Sequence, residues 1–317
     1  MAQDAPLIKI RMAGRLSNSF LLDLVKLGGF GRDVIDGVLL TAISQANVLP
    51  ITRDSTLQRR YATLDQPPPD DMRRPVSISA VANSLRIPIE TARRRISAMA
   101  KLEIVTTSSR GVIIPQGPMD SPLYRMLSTA HYGLVRNLYL RARSIELVPS
   151  APSGPLTFSS SAPPVRLVSR LSANFVLRQA EPLTEQIGDL VTALILLDVI
   201  HANTEHCADD AFAAIEASAD GYLPDSERRP VRITTLSERL GIPPETVRRH
   251  LNGLVNADRC ERRADGYLIP GRILSRSPFV QYMLESQSHL QKFLAGLAEF
   301  GVLSLWDDEA DSLRGAA

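Results

Sequence analysis

Pro243-Pro244-Glu245-Thr246-Val247-Arg248-Arg249-His250-Leu251 has an echo 155 residues earlier, Pro88-Ile89-Glu90-Thr91-Ala92-Arg93-Arg94-Arg95-Ile96. The match extends in both directions at the same offset. Arg73-Arg74-Pro75-Val76 aligns with Arg228-Arg229-Pro230-Val231, and Gly111-Val112-Ile113-Ile114-Pro115 with Gly266-Tyr267-Leu268-Ile269-Pro270. Between 73 and 115, 15 of 43 positions are identical without a gap, which points to an internal duplication rather than chance.

Each copy carries the same succession of local signals. Val76-Ser77-Ile78 and Val231-Arg232-Ile233 are short β-branched runs suited to a strand. Ser79 and Thr234 are read as N-caps of a short helix that turns Val81 and Leu85, or Leu236 and Leu240, inward. Gly241 stands where a helix ends in a left-handed residue; the first copy has Arg86 there, at a cost of about 1–2 kcal/mol if it adopts that conformation. Pro88 and Pro243 block continuation and start the next helix.

That next helix buries Ala92, Ile96 and Met99, or Val247, Leu251 and Leu254, at i, i+4 and i+7. Its other face shows Glu90, Arg93, Arg94, Ser97 and Lys101, or Glu245, Arg248, Arg249, Asn252 and Asn256. Two short strands follow in each copy. Ser109-Arg110-Gly111 is the first turn, and Arg262-Arg263-Ala264-Asp265-Gly266 the second, with Asp-Gly a strong hairpin signal.

Strand, helix, turn, helix, hairpin is the order of a winged helix-turn-helix. The Glu-Thr-Val-Arg-Arg run resembles recognition helices of bacterial regulators of the DeoR, GntR and MarR types, over about 40 residues per copy. The fold expected is mainly α, a tandem pair of winged helix-turn-helix units with small β-hairpin wings and flanking long helices. Ser121-Pro122 and Ser277-Pro278 open those helices, whose stripes Leu123, Leu127, Ala130, Leu134, Leu138 and Phe279, Met283, Ser286, Leu290, Leu294 share one spacing.

The expected organisation is a flexible arm over 1–14, a first unit over 15–147, a Pro/Ser/Gly-rich linker over 148–165, a second unit over 166–306 and a disordered tail over 307–317. Arg15-Leu16-Ser17 with Phe20 recurs as Arg170-Leu171-Ser172 with Phe175, near the start of each unit. The stretches 33–47 and 189–203 are apolar almost all round and both end in Ala-Asn. A helix of that kind is buried in a core or an interface, and an interface with the other copy is favoured.

Composition narrows the function classes. An apolar fraction of 44% with 22% charged residues is that of an ordinary globular chain. Two cysteines give no disulfide framework, no signal-peptide pattern is seen, and no apolar run is long enough to span a bilayer, so a bacterial cytoplasm is expected and no membrane. Glycine-rich phosphate loops and nucleophile motifs are missing, so no enzyme, catalytic residue or cofactor is expected. His201, His206 and Cys207 are the one hint of metal chemistry, but i and i+5 histidines diverge around a helix and no metal site is expected.

The net charge of +2 matters less than its local distribution. On the recognition helices, Ile89, Glu90, Arg93 and Arg94, and Pro244, Glu245, Arg248 and Arg249, stand where a helix in the major groove meets bases, with Thr91 and Thr246 placed for phosphate. Glu90 and Glu245 also suit a first helical turn with no DNA at all. Arg110, Arg262 and Arg263 on the wings are candidates for a minor groove or phosphates. Arg73, Arg74, Arg228 and Arg229 are read either as phosphate contacts or as ion pairs within their lobe.

The partner expected is double-stranded DNA, bound sequence-specifically by two lobes acting as an intramolecular pseudo-dimer in a transcriptional regulator. The resemblance to MarR-like proteins also implies a small-molecule effector, which no residue identifies, and a homodimer stays open. Two rivals stand beside this reading: a plasmid-replication initiator with tandem winged helices, and a winged-helix protein-interaction module that does not bind DNA.

Overall fold

The computed structural model describes residues 5–29, 32–148, 154–155, 157–216 and 222–315. In chain order the first part forms α1 (Ala5–Gly28), α2 (Val34–Asn47), α3 (Leu49–Thr52), α4 (Ser55–Arg60), α5 (Ile78–Ser84), α6 (Ile89–Lys101), β1 (Thr106–Ser108), β2 (Gly111–Ile113) and α7 (Pro122–Ser144). The second part forms α8 (Val165–Ile187), α9 (Leu190–Thr204), α10 (Asp209–Glu216), α11 (Ile233–Leu240), α12 (Pro244–Asn256), β3 (Glu261–Arg263), β4 (Gly266–Leu268), α13 (Gly271–Leu274), α14 (Ser277–Glu299) and α15 (Val302–Gly315). The chain is mainly helical, with two small antiparallel hairpins, β1–β2 and β3–β4.

The compact units are not contiguous in sequence. One contains residues 1–37 with 179–289; the other contains 38–178 with 290–317. They therefore do not coincide with 15–147 and 166–306. α1 packs in the unit that holds α11, α12 and β3–β4, and α8 as far as Arg178 in the unit that holds α5, α6 and β1–β2.

Arginine chemistry accounts for this exchange. In the unit of residues 1–37 and 179–289, Arg15 of α1 donates to the Thr204 carbonyl at 3.2 Å, the Cys207 carbonyl at 2.6 Å and Asp209 at 3.1 Å. These carbonyls lie at the C-terminal end of α9, the negative pole of its dipole. Asn18 adds a bond from Nδ2 to the Leu197 carbonyl at 3.0 Å. In the other unit Arg170 of α8 donates to the carbonyls of Tyr61 at 2.8 Å and Gln58 at 2.9 Å, at the end of α4, and Arg166 reaches the Leu64 carbonyl at 3.0 Å.

In the unit of residues 1–37 and 179–289, α9 is buried on nearly every side, with Leu194, Ile195, Leu196 and Val199 no more than 2% exposed. It packs against α1, α11, α12 and β4, so its all-round apolar character serves the interior of this unit. In the other unit Val81, Leu85, Ala92, Ile96 and Met99 bury the facing sides of α5 and α6, with Val105 and Val112 beneath.

The short helices start earlier than their sequence suggests. Ser77 rather than Ser79 caps α5, accepting from the Ala80 amide at 3.1 Å, and α11 begins at Ile233 without a side-chain cap. The β-branched runs shrink to single bridges, Val76 with Val112 and Val231 with Tyr267. Gly111 and Gly266 explain why a glycine recurs here. A Cβ on either would come within 2.5 Å of the Val76 carbonyl oxygen or 2.6 Å of that of Val231.

Helix ends follow one device. Arg86 takes a positive φ of 50°, as Gly241 does at 65°. The Ile87 amide bonds back to the Ala82 carbonyl and the Arg86 amide to Asn83, a Schellman closure. Glu103, Glu146 and Asp258 are left-handed for the same purpose at the ends of α6, α7 and α12.

The arm expected over 1–14 is helix from Ala5, and the tail expected over 307–317 is helix to Gly315; residues 1–4 and 316–317 lie outside the described residues. Of the linker, 149–153 and 156 likewise lie outside, while the Gly154 amide donates to the Ala298 carbonyl at 2.8 Å. Among the described residues no helix is long and apolar enough to cross a membrane.

Candidate nucleic-acid interface

In the unit of residues 38–178 and 290–317, α6 stands on α5 through Ala92, Ile96 and Met99, each fully buried. That stripe fixes which residues face outward: Ile89, Glu90, Arg93 and Arg94 are exposed, and Thr91 is half-buried in the first turn. Arg93 Nη1 donates to Glu90 Oε1 one turn back. Arg94 pairs with no carboxylate among the described residues.

In the other unit α12 repeats this arrangement on α11. Val247, Leu251 and Leu254 are buried; Pro244, Glu245, Arg248 and Arg249 are exposed, with Thr246 half-buried. Arg248 donates to Glu245 at 2.7 Å, and Arg249 has no carboxylate partner among the described residues. Each helix thus presents adjacent guanidiniums, one held by a carboxylate three residues earlier and one without such a partner.

The hairpins are tighter than their sequences suggest. Ser108 pairs with Gly111 and Arg263 with Gly266, so each turn is two residues long, Ser109-Arg110 and Ala264-Asp265. Arg262 and Arg263 consequently belong to β3, not to the turn. Arg263 bonds to Glu261 at 3.1 Å, whereas the exposed Arg110 and Arg262 have no carboxylate partner among the described residues.

The arginines preceding the bridges divide in the same way. Arg73, 5% exposed, donates to Asp70 and the Pro68 carbonyl, and Arg228, 4% exposed, donates to the Leu223 carbonyl at 3.1 Å beside Asp225. Both hold their own lobe together. Their neighbours Arg74 and Arg229 are exposed.

Two asparagines that the sequence reading passed over position the hairpins. Asn47 Nδ2 donates to the carbonyls of Arg74 at 2.9 Å and Val112 at 3.0 Å, while its Oδ1 accepts from the Ile114 amide at 2.8 Å. Asn203 makes the same three bonds, to Arg229 at 2.8 Å, Tyr267 at 3.1 Å and the Ile269 amide at 2.9 Å. The signal was present as the Ala-Asn ending shared by both apolar stretches.

Histidines take structural positions. His250 Nδ1 lies 2.6 Å from the Thr192 hydroxyl at the start of α9. His201 lies 3.3 Å from Glu205, which in turn accepts from Arg239 at 2.8 Å. Burial, with the positive charge of Arg239 adding to it, drives the His201 pKa down to about 4, so this ring is neutral near pH 7. Asp198, fully buried on α9, is held by Arg239 at 3.0 Å and Lys26 at 3.7 Å, though burial still raises its pKa.

An α-helix matches the width of the DNA major groove, and a guanidinium there can address guanine O6 and N7 together. Short hairpins with exposed arginine suit phosphates or a minor groove. Comparison with family models, curated proteins and solved structures finds no match to this chain.

Proposed function

We propose that the chain is a bacterial transcriptional regulator that binds double-stranded DNA sequence-specifically through two winged-helix elements, the products of a tandem duplication. In each element the second helix, α6 or α12, enters the major groove. Arg94 and Arg249 read or clamp DNA directly, while Glu90 and Glu245 orient Arg93 and Arg248. Arg110 and Arg262 contact the backbone alongside.

The observation that supports this most is the exposed guanidinium pair recurring on both helices, with Arg94 and Arg249 unneutralised in a chain whose net charge is only +2. The two elements differ at Ile89 and Pro244, at Arg95 and His250, and at Ser97 and Asn252. The half-sites they read are therefore unlike. Selection from randomised duplex DNA tests this: a two-part motif is expected, and identical half-sites bound equally by both elements would contradict it.

A further inference from the structure

In the unit of residues 38–178 and 290–317, α7 turns an uncharged face to solvent. Ser128, Val135, Leu138, Tyr139 and Ala142 bury one side of this helix. The opposite side shows Leu123, Met126, Ala130, Gly133, Asn137 and Leu140, all exposed, with Leu123 at 55%, Met126 at 60% and Leu140 at 37%. The solvent side of a long amphipathic helix ordinarily carries charged and polar residues. α7 has no carboxylate at all, and Arg125, Arg136 and Arg143 are held by Asp65 at 2.7 Å, Glu309 at 3.1 Å and Asp307 at 2.5 Å.

The intervals along the stripe are 3, 4, 3, 4 and 3 residues, the spacing of a seam between two helices packed side by side. At 1.5 Å per residue the seam runs about 26 Å. Gly133 lies in its middle, and a Cβ there would meet nothing within 4 Å. Glycine weakens a helix interior. A second helix can approach closely where the backbone is bare.

α14 shows a stripe of this kind when it is covered. At an offset of 156, Leu123, Met126, Ala130 and Asn137 fall on Phe279, Tyr282, Ser286 and Phe293, none more than 8% exposed. Helices lie against that stripe. A Cβ on Gly14 of α1 would stand 3.2 Å from Met283 Cγ, Gln179 of α8 donates to the Ser286 carbonyl at 3.2 Å, and Phe175 of α8 stacks on Phe293 at 4.9 Å. The stripe on α7 is left exposed.

Reversed end to end, this stripe complements itself. Take two antiparallel α7 helices related by a two-fold axis midway between positions 131 and 132. Leu123 then meets Leu140 of the second copy, Met126 meets Asn137, and Ala130 meets Gly133. Large faces large at both ends and small faces small in the middle, as a two-fold contact requires of a single surface. Asn137 is the one strongly polar residue in the seam, and such a residue fixes register at a cost in stability. We propose that α7 is the surface through which two copies of this chain pair, side by side and antiparallel. The pairing does not rest on the DNA-binding reading.

Sedimentation equilibrium of the full chain over the micromolar range tests it. A concentration-dependent monomer–dimer equilibrium is expected. Leu123→Glu and Leu140→Lys should each raise the dissociation constant about tenfold or more, because each sets a charge in an apolar seam. Both positions are exposed in the single chain, so at concentrations too low for pairing the two variants should melt with the parent. An equimolar mixture of the two variants should pair again, since the antiparallel register places the new carboxylate against the new ammonium. A monomer at every concentration, a dimer indifferent to Leu123→Glu, or no recovery in the mixture would each overturn the assignment.

Discussion

Asn203 holds Tyr267 in place: its Nδ2 donates to the Tyr267 carbonyl at 3.1 Å, and that same carbonyl accepts the Val231 amide at 2.9 Å. One side chain at the end of α9 thereby ties the β3–β4 hairpin to the strand-like bridge at Val231. Asn47 does the same for Val112 and Val76. Asn203→Ala would leave two carbonyls and the Ile269 amide without that partner, at a cost of about 2–4 kcal/mol. Urea unfolding should show the loss, and hydrogen exchange should show the Ile269 amide opening first. Unchanged protection at Ile269 would contradict the anchoring role.

Arg86, after α5, adopts the left-handed conformation that Gly241 adopts after α11. Arg86→Gly should therefore stabilise the chain by up to about 1 kcal/mol, since glycine carries no Cβ penalty there. The reverse change, Gly241→Arg, should destabilise, because a Cβ on Gly241 would also lie 2.9 Å from the Asp33 Cα. Thermal melts of both variants check the pair of signs.

Arg15→Ala removes the cation that closes the C-terminal end of α9. A loss of about 2–3 kcal/mol is expected, as for breaking a half-buried charged network. Hydrogen exchange should localise the opening to the end of α9 and to α10. Protection unchanged in those segments would mean that α1 is not needed by the unit in which it packs.

His131 and His201 make stability pH-dependent in the acid range. Burial lowers each folded-state pKa from about 6.5 to about 4. The unfolded chain then binds more protons between those values, so stability falls as pH drops from about 6.5 toward 4. His131 is partly buried, with Nε2 2.6 Å from the Ser172 hydroxyl, and contributes at most roughly 3 kcal/mol. Asp198 acts with the opposite sign: its raised pKa makes it cost stability as pH climbs above 3.8. Denaturation midpoints of His131→Gln across pH 4–7 should show a flatter slope than the parent; an unchanged slope would count against the assignment.

The helix pairs and hairpins were legible because their signals are local: an apolar i, i+4, i+7 stripe, a proline at a helix start, a glycine at a turn. The exposed arginines followed directly from that stripe. The exchange of α1 and α8 was not legible, because Arg15 and Arg170 read alike in sequence and their carbonyl partners lie 189 and 109 residues away. The tight β3–β4 turn was hidden because Arg262 and Arg263, read as turn residues, are strand residues paired with Tyr267 and Gly266. Asn47 and Asn203 looked like helix-ending residues, and only the fold shows what their side chains reach.

The most direct test of the DNA-binding account is affinity for a selected duplex as a function of salt, measured for the parent, Arg94→Ala and Arg249→Ala. The account predicts a steep loss of affinity with salt, a slope reduced by about 1 for each variant that loses a phosphate contact, and weakened selection at one half-site for each variant that loses a base contact. Binding that is insensitive to salt, or variants that bind and select like the parent, would contradict it.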